Sequence, residues 1–72
     1  MAVSVETARR EMSGALIDIF KLRSAQFLPK VESCKTLLEL RQVIFIILAD
    51  ARVADPDKAK KLLTAWTALE EE

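Results

Sequence analysis

The chain of 72 residues has no histidine, no tyrosine and a single cysteine, Cys34. A lone thiol cannot form an internal disulfide, which excludes a disulfide-stapled secreted scaffold. Acid–base catalysis near neutral pH relies most often on histidine, and protein zinc sites are built from clusters of cysteine and histidine. We therefore expect no catalytic, metal or cofactor site and no enzymatic activity, and we interpret Cys34 as a structural or incidental thiol.

Glycine and proline are also scarce, since the chain contains one glycine and two prolines. A phosphate-binding loop needs several glycines, so Gly14 alone cannot form one. We expect Gly14 to permit the close approach of two helices instead. Pro29 and Pro56 interrupt helical geometry and divide the chain into three segments.

Neither an excess of one charge nor a long hydrophobic run is present. Eleven lysines and arginines balance eleven aspartates and glutamates, so bulk charge does not favour binding to nucleic acid or to an anionic membrane. The longest apolar run, residues 43–49, has seven residues, far fewer than the ~20 that cross a bilayer. Because the N-terminal segment also lacks the pattern of a signal peptide, we expect a cytoplasmic protein without a membrane span.

The first segment predicts a helix over residues 4–28. Ser4 is a suitable N-cap, and Pro29 is expected to end the helix. Residues 29–35 are then either a connection or an extra helical turn, since proline is tolerated at a first helical position. Apolar residues at alternating steps of three and four form a stripe that is expected to face the core. This stripe consists of Val5, Ala8, Met12, Ala15, Ile19 and Leu22. Ile17, Phe20 and Phe27 form a second stripe on a different face of the same helix.

The second segment predicts a helix over residues 36–53, which contains the apolar run. Thr36 and Glu39 match a capping box at its start. The predicted core stripe consists of Leu37, Leu40, Ile44, Ile47 and Ala51, widened by Leu38, Phe45 and Leu48, with Val43, Ile46 and Val53 on the remaining side. A strand is the alternative for residues 43–47, but the chain contains no second strand-like segment that could pair with it.

The third segment predicts a helix over residues 56–70. Asp55 is a suitable N-cap, Pro56 fits the first helical position, and Asp57 complements the helix dipole. The apolar stripe of this helix consists of Ala59, Leu62, Leu63, Trp66 and Leu69.

These segments predict a single all-α domain over residues 1–72. We expect a small antiparallel three-helix bundle, or a helical hairpin plus a third helix. Hydrophobic residues make up 51% of a chain that is too short to bury them all in its own interior. Because the middle helix is apolar on every side and has only two neighbours, we expect a homodimer or another oligomer to complete the fold.

Two functions are compatible with such a domain. The first is a small protein-interaction module, namely an adaptor, an assembly or secretion chaperone or an inhibitor, that binds a protein partner or itself through an apolar helical face. The residues expected to bind the partner are Ile17, Phe20, Phe27, Val43 and Ile46.

The alternative is a DNA-binding transcriptional regulator on a three-helix core. Lys58, Lys60 and Lys61 lie at the start of the third helix, where a recognition helix contacts bases. Asp55 and Asp57 lie in the same stretch, which lacks the Arg, Asn and Gln side chains that bind base edges. The sequence therefore favours protein binding over nucleic-acid binding.

Overall fold

The computed structural model describes residues 3–71, and within this range it contains helices and no strand. The prediction of an all-helical chain is confirmed, and the apolar run of residues 43–49 is helical. The elements are α1 (Val5–Phe20), a 3₁₀ helix (Lys21–Gln26), α2 (Leu28–Glu32), α3 (Leu37–Ala54) and α4 (Pro56–Glu71). None of these helices combines the length and the hydrophobicity that crossing a bilayer requires.

The three predicted N-caps are confirmed. The hydroxyl of Ser4 accepts a hydrogen bond from the backbone N–H of Thr7 (3.2 Å), and the hydroxyl of Thr36 accepts one from Glu39 (3.1 Å). The carboxylate of Asp55 accepts bonds from the first turn of α4. Each cap satisfies an amide that the helix leaves free and contributes about 1 kcal/mol of stability.

The first segment differs from the single helix predicted over residues 4–28, because α1 ends at Phe20. Lys21 follows with φ = 55°, a backbone conformation that residues other than glycine rarely adopt. The chain then continues as a 3₁₀ helix and as the short helix α2. Pro29 lies in the first turn of α2, where its missing N–H does not break a helical hydrogen bond.

Packing of two phenylalanines explains this early end. The ring centroids of Phe20 and Phe27 lie 4.8 Å apart, and both side chains are buried. In a continuous helix, residues seven apart would be separated by roughly 10 Å along the axis. Ending α1 at Phe20 brings the two rings together, and it leaves Leu22, which was predicted to face the core, 95% exposed.

The core lies where α1, α3 and α4 contact one another, and α2 contacts α1 and α3. Its buried apolar side chains come from all four helices and from the connections next to α2. They are Ala8, Met12, Leu16, Ile19, Phe20, Phe27, Val31, Cys34, Leu40, Ile44, Ile47, Leu48, Ala51, Ala59, Leu62, Trp66 and Leu69.

Gly14 does not mediate a close approach of helices, so that prediction is wrong. It lies on the exposed side of α1, and apart from its chain neighbours and the backbone of its own helix no atom of the described residues comes within 4 Å of the position that a Cβ would occupy. The helix therefore carries the entropic cost of an internal glycine, about 1 kcal/mol relative to alanine, without a contact that requires it.

Candidate protein-interaction surface

The side of α3 that points away from the core is apolar and exposed. Four large side chains on it are in contact with solvent: Leu38 (63% exposed), Phe45 (39%), Ile46 (61%) and Val53 (89%). Exposed Gln42 and Ala49 lie between them. With 3.6 residues per turn, these six positions fall within an arc of about 100° on the helix. We call this set of six residues the outer face of α3.

The outer face lies directly opposite the buried side of the same helix. Leu40, Ile44, Ile47, Leu48 and Ala51 are at most 1% exposed and point into the core. The helix is therefore apolar on both sides, although its neighbours within the chain cover only one of them. An apolar strip of this kind, interrupted only by Gln42, is typical of an interaction site, whereas single exposed apolar residues are common on any protein surface.

The five residues that the sequence predicted for partner binding do not form one surface. Ile46 belongs to the outer face of α3. Val43 is half-buried at the edge of the core, and Ile17 is half-exposed on α1. Phe20 and Phe27 are buried against each other, so the chain itself already covers both side chains.

Sequence reasoning missed Leu38 and Phe45, which it assigned to the core side of the helix, and it did not include Val53 among the binding residues. A signal for the complete face is present in the spacing. Positions 38, 42, 45, 49 and 53 follow steps of four, three, four and four, which keep them on a single helical stripe. The stripe on the opposite side of α3 also consists of steps of three and four residues, so spacing alone does not indicate which of the two stripes faces the core.

The four charged residues of α3 lie on the two edges of the outer face, separated by sign. Arg41 and Arg52 lie on the edge nearer to α4, and Glu39 and Asp50 lie on the opposite edge. On the first edge, the Nε atom of Arg41 lies 3.5 Å from a carboxylate oxygen of Glu70 in α4. The charged side chains of α3 itself therefore form one basic edge and one acidic edge, and Glu70 of α4 lies beside Arg41 on the basic edge.

Arg41 connects the outer face to the core. Its guanidinium carbon lies 5.1 Å from the centroid of the Phe45 ring, within the range of a cation–π contact. Glu70, which pairs with Arg41, also accepts a hydrogen bond from the indole N–H of the buried Trp66. The exposed ion pair alone contributes little stability, but this series of contacts holds Arg41 over Phe45.

The remaining polar contacts between elements stabilise the connection that leads into α3. The guanidinium of Arg9 in α1 donates hydrogen bonds to the carbonyl oxygens of Glu32 (3.3 Å) and Cys34 (2.8 Å). The Cys34 thiol is buried and donates to the carbonyl of Lys30. No group of three or more potential metal ligands occurs in residues 3–71.

Burial, and secondarily the charge of Glu39, raise the pKa of the Cys34 thiol above its ordinary value of 9.0, while Arg9 acts in the opposite direction. The unfolded chain therefore ionises Cys34 at a lower pH than the folded chain does. The stabilisation that results is complete below pH 9.0 and is lost as the pH rises through the pKa of the folded state. We expect the free energy of unfolding to fall between pH 8 and pH 10, in part because of this thiol.

Urea denaturation followed by circular dichroism at the two pH values measures this effect. Cys34→Ala is the matched control, because it keeps every other titrating group of the chain. The free energy of unfolding of Cys34→Ala should fall less between pH 8 and pH 10 than that of the unmodified chain. Equal losses in the two proteins would show that Cys34 does not contribute to the pH dependence.

The basic residues considered for DNA binding lie at the start of α4. Lys60 and Lys61 are exposed and line a shallow groove between α1 and α4 together with Asp18. Lys58 is half-buried, and its backbone N–H donates to the Asp55 carboxylate. The acidic side chains within this region offset the positive charge that a phosphate backbone would need.

The chain matches no protein-family model, no curated protein and no solved structure. A function for this chain can therefore be proposed only from its own residues. The feature that stands out is the outer face of α3, with its apolar centre and its two oppositely charged edges.

Proposed function

We propose that this chain is a small non-enzymatic interaction protein that binds another protein chain through the outer face of α3. Adaptors, assembly or secretion chaperones and inhibitors act in this way. The observation that carries the proposal is the set of four large apolar side chains that lie in solvent on one side of one helix, directly opposite the core.

Burial of these side chains is the main source of binding free energy. Complete transfer of one Val, Leu, Ile or Phe side chain out of water contributes about 1.5–3 kcal/mol. The four side chains are already partly covered, so each contributes less than this. Association itself costs several kcal/mol, so a partner must add apolar surface of its own to bind stably.

The shape of the outer face favours a helix as the partner element. A convex, straight strip about 100° wide matches the apolar stripe of another amphipathic helix, as in helix-on-helix docking. The charged edges would then determine the orientation and the rate of binding more than the affinity.

A photo-crosslinking amino acid placed at Phe45 tests the proposal in cells of the organism that produces the protein. We expect crosslinks to a protein partner, and we expect Ile46→Glu to abolish them, because it places a charge in the centre of the buried strip. Leu22→Glu is the matched control. It also introduces a carboxylate at an exposed leucine, but outside the outer face, and should leave the crosslinks unchanged.

Two results would contradict the proposal. One is a set of crosslinks that Ile46→Glu and Leu22→Glu affect equally. The other is binding of the chain to duplex DNA that weakens steeply with salt and is lost in Lys60→Glu/Lys61→Glu, which would identify the lysines of α4 as the functional surface.

A further inference from the structure

We propose that the occupant of the outer face of α3 is the same face of a second copy of this chain, with the two α3 helices parallel and related by a two-fold axis. This inference rests on the proposed function and specifies the partner. Its support comes from the two charged edges and from the one polar residue within the apolar strip.

The charged edges are complementary only in the parallel arrangement. When two parallel helices are related by a two-fold axis, each edge of one helix meets the opposite edge of the other. The basic edge, Arg41 and Arg52, then lies beside the acidic edge, Glu39 and Asp50, of the second copy. Asp50 and Arg52 differ by only about 3 Å in height along the axis, so their side chains can reach each other.

An antiparallel two-fold pair brings like edges together instead. The outer face is centred between Phe45 and Ile46, so Arg41 of one copy would lie close to Arg52 of the other. Glu39 would likewise lie close to Asp50. Like charges held next to each other across an interface are unfavourable, and these four residues are all the charged residues of α3. The charge pattern therefore favours the parallel pair.

Gln42 supports the same arrangement. In a parallel pair it lies opposite Gln42 of the second copy, where each amide can donate a hydrogen bond to the other and accept one. In an antiparallel pair it would lie opposite Ala49, which offers no polar side-chain partner. A single polar residue within an apolar helical seam often determines register and the number of helices.

The size of the interface indicates a weak dimer. Helix α3 has 18 residues and is about 27 Å long. One helix per copy buries an area at or below the low end of the roughly 1,200–2,000 Å² that stable complexes bury. We therefore expect a dissociation constant in the micromolar range.

Sedimentation velocity over a range of concentrations, with the full chain, measures the self-association. The unmodified chain and Leu22→Glu should both show a reversible monomer–dimer equilibrium. Ile46→Glu should weaken the dimer roughly 100-fold or more, because it removes an apolar contact from each copy and places a charged group, which must lose water on association, at the interface. Far-ultraviolet circular dichroism should show the same helical content in all three proteins.

Disulfide trapping tests the orientation. Under mild oxidation, Gln42→Cys should form a covalent dimer, because in a parallel pair the two positions face each other across the axis. In an antiparallel pair they are offset by about 10 Å, which exceeds the Cα separation that a disulfide allows. The buried Cys34 is replaced by alanine in both cysteine variants, and Asp57→Cys, on the exposed start of α4, is the control that should form no covalent dimer.

The outcomes separate this inference from the function on which it rests. A covalent dimer of Gln42→Cys together with dissociation by Ile46→Glu supports the inference. A dimer that Gln42→Cys does not trap overturns the parallel orientation. A chain that stays monomeric at several hundred micromolar, while Phe45 still crosslinks to a different protein, overturns self-pairing and leaves the proposed function standing. If the chain neither dimerises nor crosslinks to another protein through position 45, the inference and the proposed function are both wrong.

Discussion

Replacing Trp66 with alanine is expected to destabilise the protein more than truncation of any other core side chain. Trp66 is 1% exposed and is the largest fully buried side chain of the described residues. Truncation of a buried aromatic residue to alanine costs about 3–5 kcal/mol. A domain of this length has a total stability of only about 4–11 kcal/mol by the usual value per residue. The substitution also removes the indole N–H that binds Glu70.

Urea titration followed by far-ultraviolet circular dichroism measures this loss. Leu22→Ala is the control, because it truncates an apolar side chain that is already 95% exposed, and it should change the free energy of unfolding by less than about 0.5 kcal/mol. A Trp66→Ala protein whose stability lies within about 1 kcal/mol of the unmodified chain would contradict the position of Trp66 in the core.

Phe27→Ala is expected to have the second-largest effect, and Phe45→Ala provides a matched comparison. Phe27 is buried against Phe20, and its truncation should cost about 3–5 kcal/mol. It also removes the contact that favours the end of α1 at Phe20, so the 3₁₀ helix should lose order with it. Phe45 is partly exposed on the outer face of α3, and its truncation should cost about 1 kcal/mol or less in the monomer.

The two variants are compared by urea denaturation at a concentration low enough to keep the chain monomeric. In a binding assay the order of the two effects should reverse. Phe45→Ala should weaken association directly, whereas Phe27→Ala should act only through the loss of folded protein. Equal destabilisation by the two substitutions would be incompatible with the described packing, because it would require the two rings to be equally buried.

The sequence was most informative where local chemistry determines structure. Ser4, Thr36 and Asp55 have side chains that bind free amides within the next three residues, so each helix start depends on neighbouring atoms alone. The end of α1 depends instead on Phe20 meeting Phe27 and on a backbone conformation at Lys21 that no residue preference indicates. No helical period reveals such a contact.

The sequence predicts that an exposed apolar surface exists on the middle helix, but it does not predict which residues form that surface. An apolar excess in a short chain indicated uncovered surface on the middle helix, and Ile46 was assigned to it. Which stripe of α3 remains uncovered depends on where α1 and α4 pack, and this depends on the sum of many core contacts. Leu38 and Phe45 were for this reason assigned to the buried side.

The connection from Trp66 through Glu70 and Arg41 to Phe45 gives the protein an intrinsic optical reporter. The chain contains one tryptophan, so its fluorescence comes from a single site. We expect a ligand that displaces Arg41 from the Phe45 ring to shift the Glu70 carboxylate, which contacts the indole N–H directly. The emission of a residue shielded from water should then report binding at the surface, so that titrations need no attached dye.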